Sequence, residues 1–390
     1  MQSSLVVNRS PSELRVALLE SGHLTEIYVE RSSERGVVGN IYRGRVVRVL
    51  PGMQAAFVDI GLERTGFLYV DDALLEVPER DETGGDAETP ENGGAGQNVE
   101  RTHGGFRSAP TVDIATVLTQ GQEIVVQVQK DPLGTKGARL TRRITIPGRH
   151  LVHMPFSRHV GVSRRIESEE ERERLRTLLA PSTAAGGGYI VRTAAEGIDG
   201  DKLEREATML RQIWEDLERR ATSGKTPRLV LADLDLGLRT VRDLFSDDVE
   251  RVVVDTPHDH QRIREFVASF APEAAGRIEL YAGPEPIFDH FGIEVELERA
   301  LERRVWLKSG GYIVIDEAEA LTAIDVNSGR FVGQSSLEDT ITQINLEAVK
   351  EVAFQLLLRN IGGIVIIDFI DMTEAQNREK VPDYRRVLEG

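Results

Sequence analysis

The stretch Gly311-Tyr312-Ile313-Val314-Ile315-Asp316 is followed shortly by Ala320-Leu321-Thr322-Ala323-Ile324-Asp325-Val326-Asn327-Ser328-Gly329-Arg330. Both runs are apolar, rich in β-branched residues and stopped by turn formers, which predicts two strands. Side chains alternate along a strand, so Leu321, Ala323, Asp325 and Asn327 share one face while Thr322, Ile324 and Val326 share the other. The first face therefore turns from apolar to acidic at its end. After a helical stretch, Gly362-Gly363 leads into Ile364-Val365-Ile366-Ile367-Asp368-Phe369-Ile370-Asp371-Met372, a near-continuous apolar run of the kind buried on both sheet faces. It too becomes acidic at its C-terminal end.

A carboxylate beside a buried strand loses hydration and requires a hydrogen-bond donor, a counter-charge or a metal. Mg2+ takes oxygen ligands, commonly one or two carboxylates, with water and a substrate phosphate in the remaining positions. Asp325 and Asp368 supply that minimum if the fold makes their strands neighbours, and Asn327, on the face of Asp325, is placed to orient a ligand or a scissile phosphate. Any one such Asp is more simply a turn or helix cap. The paired arrangement reverses that preference.

Three motifs, Ala323 to Arg330, Asn345-Leu346-Glu347-Ala348, and Gly363 to Met372, resemble the catalytic motifs of the ribonuclease E/G family. The resemblance covers nearly the whole chain, and Lys130-Asp131-Pro132-Leu133-Gly134-Thr135-Lys136-Gly137-Ala138-Arg139-Leu140-Thr141 favours the ribonuclease G branch. It implies that Asp325 and Asp368 bind a catalytic Mg2+ and that Asn327 assists. It also implies an α/β and β multidomain chain. A ribonuclease H-like subdomain (1–35 and 221–295) would hold an inserted OB-fold RNA-binding barrel (36–130) and a 5′-sensor region (131–220). A deoxyribonuclease I-like catalytic subdomain (296–390) would follow, apparently incomplete.

Composition is compatible with this reading. The 390 residues are 40% hydrophobic, enough for several cores, and no apolar run is long enough to span a bilayer. The opening Met1-Gln2-Ser3-Ser4 lacks the basic and apolar regions of a signal peptide, which points to the cytoplasm and to no membrane partner. With no cysteine, disulfides and thiolate metal sites are excluded. The net charge of −16 argues against a polyanion partner until its distribution is considered. Residues 71–100 carry ten Asp or Glu and one Arg, whereas residues 128–165 carry nine Lys or Arg and one Asp.

Leu14–Leu19 and Leu24–Val29, separated by Glu20-Ser21-Gly22-His23, predict a hairpin, with His23 an exposed turn residue. From Gly39 to Val128, short strands and Gly turns follow one another at the spacing of a small barrel. Residues 79–110, aperiodic and rich in Gly, Glu, Asp and Pro, interrupt it and predict a disordered loop. Phe57 and Phe67 are equally readable as barrel core or as surface aromatics on which bases stack. The family resemblance tips the choice, implying that Phe57 and Phe67 with Lys130 and Lys136 hold single-stranded RNA.

In the basic stretch, Lys136, Arg139, Arg142, Arg143, Arg149, Arg164 and Arg165, with Gly134, Gly137 and Gly148 permitting close backbone approach, favour phosphate contacts. Arg192-Thr193, at the end of the strand reading Ile190-Val191, pairs a guanidinium with a hydroxyl and suits a terminal phosphate. By resemblance this is the family's 5′-monophosphate pocket, comprising the backbone of Gly148 and Val152 and the side chains of Arg164, Arg192 and Thr193. Glu167–Leu179 and Lys202–Arg220 read as charged helices with solvated faces, and residues 228–282 as an α/β unit beginning with the strand Leu229–Leu231. Asp233, Asp235 and Asp255 in that unit match no family motif and are assigned structural roles.

The reading is a Mg2+-dependent endoribonuclease cutting single-stranded RNA in RNA processing and decay, including that of ribosomal RNA. Its rivals are a catalytically silent RNA-binding module and, more weakly, a deoxyribonuclease. Members of the family continue into a Cys-X-X-Cys zinc-link that joins protomers into homo-oligomers. This chain ends at Val387-Leu388-Glu389-Gly390 without cysteine, so the expectation is no zinc, no zinc-linked dimer and weak or absent cleavage.

Overall fold

The computed structural model describes residues 3–75, 112–329, 337–374 and 376–377. The acidic insertion at 79–110 lies outside them, as does Arg330 of the first catalytic motif. The chain divides into two compact units, residues 1–35 with 235–390 and residues 36–234.

The first unit holds two sheets. In one, β1 (Ser3–Arg9), β2 (Glu13–Glu20), β3 (His23–Arg31), β14 (Val249–Val254) and β15 (Ile278–Leu280) lie in the order β15-β14-β1-β2-β3. Ser21 and Gly22, both at positive φ, form the two-residue turn of the predicted β2–β3 hairpin. Both faces of this sheet are covered. Leu5, Val7, Val252 and Val254 pack with Val241 and Phe245 and with Ile263 and Val267, from the region of the helices Leu236–Leu244 and Pro257–Phe270. Val6, Ala17 and Val253 pack on the other side with Ile287, Phe288 and Ile293.

The other sheet has the order β16-β17-β18-β19: β16 (Arg304–Trp306), β17 (Tyr312–Glu317), β18 (Thr322–Asn327) and β19 (Val365–Asp368). Its apolar face carries Ile313, Ile315, Ile324 and Val326, which pack against Ile344, Ala348 and Val352 of the helix Leu337–Leu358. The spacing of four residues keeps those three side chains on one helix face. The last apolar run differs from expectation. Among the described residues β19 pairs with β18 alone, and Ile364 and Ile366 are 64% and 54% exposed. One sheet face is covered by the helix and the other is open, so the apolar run is not buried on both sides.

In the second unit, β4 (Ile41–Leu50), β5 (Ala55–Asp59), β6 (Gly66–Tyr69), β8 (Arg139–Thr141) and β7 (Glu123–Lys130) pair in that order, and β7 pairs back with β4 to close a five-stranded barrel. Val46, Val58, Leu68, Val126 and Leu140 fill it. The strand Leu229–Leu231, read above as the start of the α/β unit, is instead part of β13 (Arg228–Leu231), which pairs antiparallel with the first residues of β4. The remaining sheet has the order β11 (Val160–Val162), β12 (Gly188–Val191), β10 (Leu151–Met154), β9 (Ile146–Pro147). The helices Glu169–Ala184 and Gly200–Thr222 pack on it through Leu175, Leu179, Leu203, Ala207 and Leu210.

Candidate active site

Asp325 and Asp368 are direct Cα partners at the C-terminal ends of the parallel strands β18 and β19. Adjacent strands lie about 4.8 Å apart, so the two carboxylates stand side by side. The predicted alternation along β18 is present: Thr322, Ile324 and Val326 are buried, while Ala323 and Asp325 are exposed and Asn327 is half-exposed. The dehydration argument made from sequence does not hold, because both Asp325 and Asp368 face solvent. What remains is the adjacency of two negative charges, each raising the electrostatic cost of the other. The Asn327 amide donates to Asp325 Oδ2 at 2.8 Å and fixes that carboxylate's orientation.

The helix Leu337–Leu358 holds the site from beneath. Asn345 is fully buried; its Nδ2 donates to the Ile370 carbonyl at 2.8 Å and its Oδ1 accepts from the Ile370 N–H at 3.2 Å. An amide side chain thus stands in for a strand partner two residues beyond Asp368. Two residues further along, the Glu347 carboxylate accepts from the Ser309 N–H at 2.9 Å and secures the turn between β16 and β17. At the start of the helix Glu338 accepts from the backbone of Thr373 and Glu374 and from the Thr373 hydroxyl. Those donors, the Glu374 N–H foremost, hold its carboxyl well below the ordinary range, at about 2. Sequence reading quoted the Asn345 motif without finding either anchor.

The open face carries more than the carboxylates. Trp306 pairs with Tyr312 and Tyr312 with Asn327; Arg304 pairs with Val314, Val314 with Asp325, and Asp325 with Asp368. Sequence reading missed Arg304, Trp306 and Tyr312, although alternation with the buried Val305 and Ile313 marks them as outward-facing. No group of three or more His, Cys, Asp or Glu suited to a metal occurs among the described residues. The donor set at β18 and β19 is two hard carboxylates and one amide oxygen, which suits an oxygen-seeking cation that keeps most of its water.

On the barrel, Phe57 pairs with Phe67 across β5 and β6, Phe67 with Arg139, and Arg139 with Lys130. Both phenylalanines are half-buried and lie outside the barrel core. Their rings lie 5.6 Å apart edge to face, and Phe67 meets Tyr69 at 4.5 Å. Tyr69 was not singled out from sequence, although its spacing of two from Phe67 puts it on the same face. Lys130 and Lys136 are exposed, Lys136 in the turn between β7 and β8.

The ribonuclease E/G family pattern matches residues 145–386. Ribonuclease G of Salmonella typhimurium is 46% identical over 381 residues, 98% of this chain and 74% of its own length. Ribonuclease G of Escherichia coli K12 is 46% identical over 382 residues with the same coverage, and ribonuclease E of that strain is 36% identical over 388 residues, 99% of this chain and 34% of its own length. The chain belongs to the ribonuclease E/G family. With that membership it is an endoribonuclease.

For this member of the family, the residues expected around a 5′-phosphate lie on β10 or just beyond the ends of β9, β11 and β12. Arg192 Nη1 donates to the Gly148 carbonyl at 2.9 Å, and Thr193 Oγ1 lies 3.0 Å from Ser163 Oγ, next to Arg164. Val152 is on β10, paired with Pro147 and Ile190. The Gly148 N–H donates to the Leu151 carbonyl at 2.7 Å. Glu206, placed on a solvated helix face from sequence, is instead buried; it accepts from the His150 and Leu151 N–H groups at 2.9 and 3.2 Å and lies 2.6 Å from His150 Nδ1. The spacing Leu203, Glu206, Ala207, Leu210 was the available signal, since it sets the acid within the apolar stripe.

Several basic residues have other work than the phosphate contacts expected of them. Arg139 pairs with Asp72 at 2.9 Å, Arg142 donates to the Ala73 carbonyl, and Arg143 to the carbonyls of Leu74 and Asp71. Close approach at two glycines is likewise intramolecular: a β-carbon would overlap the Thr65 carbonyl at Gly137 and the Glu206 carboxylate at Gly148. Asp235 caps a helix and pairs with Arg262 at 2.6 Å, while Asp255 accepts from Asn8 at 2.6 Å. Burial pushes the Asp255 carboxyl up despite that bond.

Proposed function

We propose that this endoribonuclease is Mg2+-dependent, cuts single-stranded RNA to leave a 5′-phosphate, and responds to a 5′-monophosphate on its substrate. The observation that carries the reading is the register of β18 and β19, which sets Asp325 against Asp368 with Asn327 bonded to the first carboxylate. Asp325 and Asp368 are the residues to hold the cation. When bound, Mg2+ supplies a Lewis acid for the phosphate and a route to an activated water. Asn327 keeps Asp325 in one orientation, so the pair need not reorganise when the phosphate arrives. Asn345 fixes the backbone just after Asp368, and Glu347 fixes the turn preceding β17.

The barrel, read as an oligonucleotide-binding surface, supplies Phe57 and Phe67 for stacking and Lys130 and Lys136 for the backbone. Arg192, Thr193 and Arg164, with the backbone of Gly148 and Val152, form the 5′ site. No helix among the described residues is long and apolar enough to cross a membrane. A labelled single strand incubated with the protein and Mg2+, then with a chelator, tests the reading. Cleavage at any measurable rate, even a weak one, that stops with chelator and is lost in Asp325→Ala and Asp368→Ala while RNA binding persists is the expected result. Parent-like cleavage in either variant removes the assignment, and binding without any cleavage by the parent protein favours the silent RNA-binding module.

A further inference from the structure

The open face of the β16–β19 sheet carries a cation, Arg304, in the row of the carboxylates and two aromatic rings in the neighbouring row of Asn327. Trp306 is 60% exposed on β16, and its ring lies 5.2 Å from that of Tyr312 on β17, tilted by 60°. The Arg304 guanidinium sits over both, 4.5 Å from the Tyr312 centroid and 5.8 Å from that of Trp306. Tyr312 is the direct partner of Asn327, and Val314 separates Arg304 from Asp325 in the next row. Two strand spacings and two residues along the strand set Trp306 about 12 Å from Asp325 on the same surface.

We infer that Trp306, Tyr312 and Arg304 form a stacking subsite for one nucleobase of the RNA strand whose phosphate lies at Asp325 and Asp368. Single strands are gripped by aromatic faces and guanidinium planes because every base has a π-face, and a cation beside the ring adds attraction for the adjoining phosphate. Trp306 supplies the open ring. Arg304, held over Tyr312, balances the negative charge of the two carboxylates and of the strand itself. A plain cross-strand pair would also place Trp306 against Tyr312 and stabilise the sheet. It would not require an indole left mostly in water on the surface that bears the candidate catalytic pair. The subsite is continuous with that pair and separate from the barrel aromatics, so it bears on which base beside the cut is held.

This inference rests on the catalytic reading of Asp325 and Asp368, and the test separates the two. Cleavage is measured on short single-stranded RNAs, each lacking one base at a successive position around the cut. Trp306→Ala should lower kcat/KM about five- to a hundredfold on the intact strand, the effect of losing one stacked base. Removing one particular base from the RNA should abolish the difference between variant and parent, and Trp306→Phe should restore most of the rate. Equal kcat/KM for Trp306→Ala and parent overturns the subsite, as does a defect that persists unchanged on every abasic strand. A second readout does not need cleavage. In a Trp214→Phe background Trp306 is the remaining tryptophan, and its emission should be quenched by the intact RNA in the presence of chelator. Absence of quenching by RNA that binds overturns the subsite even where the protein does not cut.

Discussion

Asn345→Ala should loosen the segment that follows Asp368 without unfolding the sheet. The side chain makes two hydrogen bonds to Ile370, at 2.8 and 3.2 Å, and is fully buried. Each such bond contributes about 0.5–1.5 kcal/mol net, so truncation should cost roughly 1–3 kcal/mol locally. Ile370 is only half-buried, and water entering to meet its freed N–H and C=O keeps the loss in that range. At about 1.4 kcal/mol per tenfold, the Ile370 amide should exchange its hydrogen about five- to a hundredfold faster. Hydrogen exchange on the 366–373 segment reads this directly. Displacing Asp368 by even ~1 Å should lower kcat by up to about a hundredfold while leaving RNA affinity unchanged. Asn345→Asp keeps the volume but sets a carboxylate against the Ile370 carbonyl, so it should be at least as impaired. Unchanged exchange at Ile370 with parent-like kcat in Asn345→Ala would refute the anchoring argument.

Three further outcomes follow from the same geometry. A 5′-phosphorylated strand should be cut faster than its 5′-hydroxyl twin by about ten- to a hundredfold, the value of a charged hydrogen bond, and Thr193→Val and Arg192→Ala should shrink the ratio; equal rates with the parent protein reject the pocket. RNA affinity should fall with salt at a log–log slope of roughly −0.7 per neutralised phosphate, and Lys136→Ala should flatten it by about one contact; an unchanged slope moves Lys136 off the RNA path. Glu338, with its carboxyl depressed from 4.5 to about 2, stabilises the 373–374 segment above pH 4.5 and loses that contribution as pH falls through 2. Parent and Glu338→Gln should therefore differ in proteolysis of that segment at neutral pH and converge near pH 2; identical cleavage at both would dismiss the clamp.

Much of the site was legible in the chain because strand alternation is local. Asp325 and Asn327 had to share a face opposite Ile324 and Val326 whatever the sheet did. The β2–β3 hairpin and the closed barrel were also readable, from turn residues and short-range spacing. Tertiary structure decided what depends on distant partners. Only pairing across an intervening helix could bring Asp368 beside Asp325, and only the placement of that helix on one face left Ile366 and both carboxylates in water. An apolar run reads the same whether one or two of its faces are covered, because hydrophobicity records a preference and not a neighbour. The same holds for charge: Arg142 and Arg143 announce cations, but the carbonyls of Asp71, Ala73 and Leu74 that occupy them are 69 to 72 residues away in sequence. Glu206 is the converse, an acid whose burial is tolerated because the His150 and Leu151 N–H groups meet it. Local sequence determined which residues faced together within each strand; long-range packing determined which strands met and which faces stayed open.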